Sequence, residues 1–197
     1  YSRSAYRDLI GTLVLIAIGL TTFAQIANAP ANIKSPWVNG TYTNIAASET
    51  NNDAPLSLRF VSVNNVNNVV NSTTTDNASI SITGIGGQAT IRVIDNDAAD
   101  TYPAGTFAGF RIGTTGLLSG TIASTVVIRT YNNGTPAETY NAVTSLLGIN
   151  SSLLNGDGTA TVGFVTTADF DEISIEYTTL VGLLFNAEVY HAVIEKY

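Results

Sequence analysis

Ile80-Ser-Ile-Thr-Gly-Ile-Gly-Gly-Gln-Ala-Thr-Ile-Arg-Val-Ile-Asp95 decides the fold class. Ile80–Ile82 and Ile91–Val93 alternate apolar with polar side chains, and the glycine-rich Gly84–Gly87 separates them. Period-two alternation gives a strand one face for a core and one for water, while glycine supplies the backbone freedom of a turn. The same texture continues in both directions. Leu56–Phe60, Phe107–Ile112, Val126–Tyr131, Thr161–Val165, Ile173–Tyr177 and Val189–Ile194 are further strand-sized runs. Asn51–Pro55, Asp95–Asp100, Asn132-Asn133-Gly134 and Asn155–Gly158 punctuate them, and Asn133-Gly134 suits a hairpin because both residues tolerate positive φ. Val143–Leu154 is the one stretch fit for a short helix or turn, and Asn64–Asn71 reads as a low-complexity loop. The expected fold is mainly β, an antiparallel β-sandwich or jelly-roll-like domain.

The segment before Pro30 has a different composition. Leu9 to Ile33 carries no charged residue, and Leu9–Ala29 as a helix would extend roughly 31 Å. It reads as a secretory signal peptide, cleaved after Ala24 or Ala29, or as a retained segment. Retention is the expectation adopted, since Pro30 would directly follow the second cleavage site. The domains are then 1–29, an apolar assembly or anchoring segment, and 30–197, the sandwich. Leu9, Leu13, Ile16, Leu20 and Phe23 follow a helical seam, yet Ile10, Thr12, Val14, Ile16, Ile18 and Leu20 also alternate like a strand. Length favours the helix, with a donated strand as the alternative.

Composition excludes several classes. The 197 residues carry eight Lys plus Arg against fifteen Asp plus Glu, a net charge of −7, which argues against nucleic acid as a partner. With no cysteine there is no disulfide framework or thiolate site, and one histidine, His191, cannot build a His-rich metal centre. Any chemistry would rest on carboxylates and hydroxyls. Asp95, Asp97 and Asp100 offer oxygens at a spacing weakly suited to Ca²⁺, but the glycine and terminal Glu of an EF-hand loop are missing, so a solvated turn is expected. Asp169, Asp171 and Glu172 form a second acidic group, also read as a solvated loop. His191 lies in the last alternating strand. No nucleophile elbow, phosphate loop or dinucleotide fingerprint occurs, and no spacing marks a glycosidase carboxylate pair. No cofactor, no required metal and no enzymatic activity are expected. Asn39, Asn71, Asn77, Asn133 and Asn150 head Asn-x-Ser/Thr sequons, candidate glycosylation sites in loops.

Tyr102-Pro-Ala-Gly-Thr-Phe-Ala-Gly-Phe110 and Thr161-Val-Gly-Phe-Val-Thr-Thr-Ala-Asp-Phe-Asp-Glu172, with Ile91–Asp95 and Val189–Glu195, resemble β-rich domains of secreted surface proteins of Bacteroidota-type bacteria. The resemblance covers Ala78–Tyr197, about half the chain. It implies a secreted, adhesin-associated module and no catalytic residue. Asp8, just before the apolar run, resembles the acidic residue of type IV pilins, although the rest of a pilin start is absent.

Two functions follow as expectations. The first is a structural subunit of an extracellular surface filament, a homopolymer held through the apolar segment, with the membrane as a partner during assembly. An uncharged run of this length must be buried in lipid or in copies of itself. The alternative is a membrane-tethered or secreted adhesin-like module whose loops bind surface glycans.

Overall fold

Gly84–Gly87 is a turn, but the strands it joins belong to different sheets. The computed structural model describes residues 35–40, 42, 44–54, 56, 58–97, 101–113, 124–141, 154–155, 157–179 and 184–195. Leu9, Leu13, Ile16, Leu20 and Phe23, the boundary at Pro30, Asp100, Asn150 and the expected helix or turn up to residue 153 lie outside them. The described strands are β1 (Ser35–Pro36), β2 (Ile45–Asn51), β3 (Phe60–Asn64), β4 (Ala78–Thr83), β5 (Gln88–Asp95) and β6 (Phe107–Gly113). They continue as β7 (Ser124–Asn132), β8 (Thr135–Asn141), β9 (Leu154–Asn155), β10 (Thr159–Val165), β11 (Glu172–Thr179) and β12 (Phe185–Glu195). A seven-stranded sheet runs β3-β4-β12-β6-β10-β9, with β1 also paired to β12; a five-stranded sheet runs β2-β5-β11-β7-β8. The pairings within these sheets are antiparallel, and the fold is the jelly-roll-like sandwich that the alternation predicts.

Alternation fills the space between the sheets. Ile80, Ile82, Phe110, Ile112, Val189 and Ile194 from the first sheet meet Ile91, Val93, Ile128, Ile173, Ile175 and Tyr177 from the second, all buried. At roughly 1.5–3 kcal/mol for each fully buried large side chain, this contact is the main stabilising term. Asn133 and Gly134 turn β7 into β8 with φ of 50° and 72°, the hairpin expected from their sequence.

Two segments depart from expectation. Leu56–Phe60 alternates but is not a strand: β3 begins at Phe60, and its core-facing residue is Val61. The apolar set of the preceding run therefore falls on the solvent side. Asn64–Asn71 is not a bare loop. Val66–Val70 forms a 3-10 turn that buries Val69 and Val70, so the valines between the asparagines anchor it.

Register also fixes the two ends of the long sheet. Phe60 pairs with Thr83, and Phe185 with Ile82, at one end. Phe107 pairs with Glu195 and with Val165 at the other, where β1 joins β12. Near that second end Gly109 and Gly163 face each other across β6 and β10. A Cβ on Gly163 would lie 2.7 Å from the Phe107 ring, so the two glycines leave the gap this ring covers.

Candidate functional site

Along β12 the core residues Phe185, Ala187 and Val189 alternate, and then the phase changes to Ala192 and Ile194. The cause is a bulge. Val189 pairs with Ile112, but the next partner of β6, Arg111, pairs with His191, which leaves Tyr190 as the additional residue. A bulge sets two residues against one and re-aims side chains. Here it places Tyr190 beside Glu188 and His191, opposite Arg111, on the face of the seven-stranded sheet turned away from the core.

Hydrogen bonds hold the group together. Arg111 Nε donates to Thr159 Oγ1 at 2.9 Å, and a second guanidinium nitrogen pairs with Asp157. Thr159 Oγ1 donates to Asp157 at 2.7 Å, and that bond, more than Arg111, holds the Asp157 carboxyl below its usual range. Tyr190 O–H donates to Glu188 at 3.2 Å. Burial, then Glu188, raises the Tyr190 phenol, so it stays a neutral donor. Gly113 makes room for Glu188: a Cβ there would lie 2.8 Å from the carboxylate oxygen. His191 is the buried floor at 3% exposure. Burial first, then Arg111, lowers its pKa to about 4, against a weaker opposing hydrogen bond with the Thr74 backbone. Its Nδ1 has no protein partner.

Such a face can make polar and apolar contacts side by side. Carboxylates accept from hydroxyls, a guanidinium and a phenol donate, and an aromatic ring offers an apolar plate. The histidine in this group is held neutral by burial, and its Nδ1 meets neither an acid nor a nucleophile. Among the described residues no group of three or more His, Asp or Glu side chains could hold a metal ion, and no helix is long and apolar enough to cross a membrane.

Elsewhere, a cleft of about 670 Å³ is lined by Asn39, Gly40, Ala46, Asn67, Asn71 and Ser72 among others. Its amides are mostly engaged. Asn39 Nδ2 donates to the Ile45 carbonyl at 2.8 Å and its Oδ1 accepts from the Ile45 amide. Asn71 Oδ1 accepts from Thr73 N–H, and its Nδ2 contacts Asp76 and Asn68. No aromatic ring lines this cleft among the described residues.

The other sequence candidates have local duties. Asp95 is buried, contrary to a solvated turn. Trp37 Nε1–H donates to Tyr102 Oη at 2.9 Å, and Tyr102 O–H donates to Asp95 at 2.8 Å. The other Asp95 oxygen accepts from Asp97 N–H. Asp169 accepts from Ala104 N–H and Asp171 from Asn133 N–H, while Glu172 is buried against Arg92. Asn133 is exposed in its hairpin and Asn77 half-buried. Arg111, Asp157, Thr159, Glu188 and Tyr190 were not legible as a site. The phase change in Phe185–Glu195 is the signal that points to them.

No family model and no curated protein matches the chain. Among solved structures, a mutant lectin-binding domain of lectinolysin complexed with Lewis b has a TM-score of 0.46 at 11% identity, covering 85% of this chain and 99% of that one. The family 32 carbohydrate-binding module of NanJ from C. perfringens, in complex with galactose, gives 0.41 at 13% identity, with 83% and 100% covered. A fucose-binding module of Streptococcus pneumoniae gives 0.42 at 9% identity, with 86% and 99% covered. Likeness at this level leaves the ligand to be argued from the chain's own side chains.

Proposed function

We propose that the chain is an extracellular, non-catalytic glycan-binding module that holds a saccharide on the outer face of the seven-stranded sheet around Tyr190. The observation that carries this reading is the bulge, which brings a half-buried aromatic ring, an exposed carboxylate and Arg111 to one place. A sugar has apolar C–H faces and vicinal hydroxyls, and this pairing of plate and polar groups suits both. The low charge and the Thr/Asn-rich sequence agree with a surface protein, as does the resemblance to secreted Bacteroidota-type domains. The filament reading keeps its sequence basis in Leu9–Phe23, and nothing in the described residues adds to it.

The test is a glycan array probed with the full chain, its Tyr190→Ala variant and its Glu188→Gln variant. The module should retain one class of saccharide. Tyr190→Ala should weaken that binding ~10-fold or more, on the order of 1.4–3 kcal/mol for a recognition contact, with melting little changed. Retention of the same saccharide by both variants would move the site elsewhere. Retention of no glycan at all would remove the reading.

A further inference from the structure

The end of the sandwich opposite β1 carries a second feature. Leu56, Leu58, Phe60, Ile85 and Leu184 are large apolar residues left in solvent, with Leu56 at 104% and Leu58 at 75% exposure. They converge because three connections meet there. Phe60 pairs with Thr83, Leu184 precedes Phe185 beside Ile82, and a Cβ on Gly84 would come within 2.5 Å of the Leu58 carbonyl. Leu58 has φ of +54°, a strained conformation for leucine. Ile85 is presented between Gly84 and Gly86, both at positive φ. Apolar side chains lifted into water on such a backbone oppose the ordinary drive to bury them. Arg59 stands among them. Its Nε donates to the Asn52 carbonyl, whereas Arg92, Arg111 and Arg129 pair with carboxylates and Arg59, among the described residues, does not. The nearest acid in sequence, Asp53, has one oxygen on the Val61 amide.

We propose that this tip inserts into a phospholipid surface, its apolar side chains entering the acyl boundary and the Arg59 guanidinium facing a headgroup phosphate. The side chains project separately from different turns. A fluid apolar layer admits separate projections, while a protein partner would need a matching hole for each. A guanidinium beside them complements the phosphate layer such projections cross.

The absence of cysteine in the sequence makes a single label possible. Full-length chains carrying Leu56→Cys, or Asn133→Cys in the β7–β8 hairpin at the other end, are labelled with an environment-sensitive fluorophore. Each is mixed with phosphatidylcholine vesicles, with or without one part in about five of phosphatidylglycerol. The Leu56 probe should shift to the blue and brighten about 2-fold or more, as expected when it leaves water, while the Asn133 probe stays unchanged. Leu58→Asn with Ile85→Ser should weaken the Leu56 probe's response about 10-fold, since asparagine tolerates the left-handed backbone. Arg59→Gln should reduce the gain from phosphatidylglycerol. An unchanged Leu56 probe on chains that bind vesicles would assign the binding to the apolar Leu9–Ala29 sequence and overturn the proposal. A shift that grows with protein concentration without vesicles would also overturn it, in favour of self-association.

Discussion

His191 is neutral in the folded chain because burial and the nearby Arg111 both oppose its charge, placing its pKa near 4 against 6.5 for the free side chain. Between those values the unfolded chain holds more protons, so stability rises with pH through this window and is lost as pH falls through it. The expected loss from pH 7 to pH 4 is about 1–3 kcal/mol, beyond what carboxylates contribute. Thermal melts of the chain and of His191→Gln across that range should diverge, with the flatter curve for the variant. Equal slopes would mean that His191 is solvated or charged in the fold. Tyr102→Phe acts on the buried chain from Trp37 to Asp95. It strands one donor and one acceptor and should cost about 1–3 kcal/mol of stability in denaturant titrations. This role was hidden in the sequence. Asp95, Asp97 and Asp100 have the spacing of a weak cation loop, but Asp95 is committed to Tyr102, which meets Trp37 from 65 positions away. Local spacing carries no information about such a partner.

Alternation made most strands legible because each side of a strand faces either the core or the outer surface, as in β4 and β5. The exceptions are instructive. Leu56–Phe60 alternates as well as any true strand, but pairing begins at Phe60 and the buried phase starts at Val61. In β12 the reverse holds: the irregular phase marks the bulge at Tyr190. β2, with its exposed Ser48–Asn51 half, gave too little apolar contrast to be read. The bulge yields a sharp prediction. Deleting Tyr190 should let Val189 and His191 continue opposite Ile112 and Arg111 in regular register, so the sandwich should remain folded while saccharide binding disappears. Circular dichroism and the glycan array together check this. A second prediction concerns packing between strands. At Gly163 a Cβ would sit 2.3 Å from the Ala108 carbonyl and 2.6 Å from Gly109 Cα, both backbone atoms unable to yield. Gly163→Ala should therefore separate β6 from β10 and cost about 3 kcal/mol or more, measured by denaturant midpoint.

At the scale of the whole molecule, the described strands of both sheets and the core between them come from Ser35 onwards. A chain beginning at Ser35 should accordingly melt cooperatively, as a domain that waited for a donated strand would not. Aggregation of that shortened chain would reinstate strand donation. The two proposals place function apart: saccharide contact on the outer face near β12, and lipid contact at the tip beside β3. The central claim concerns the first of these. Its most direct measurement is amide chemical-shift mapping of the chain titrated with the saccharide that the array retains. The account predicts the largest shifts at Arg111, Asp157, Thr159 and Glu188–His191, with the cleft residues Gly40, Asn67 and Asn71 quiet. Shifts centred on that cleft, or spread over the tip loops with the Tyr190 region silent, would contradict it.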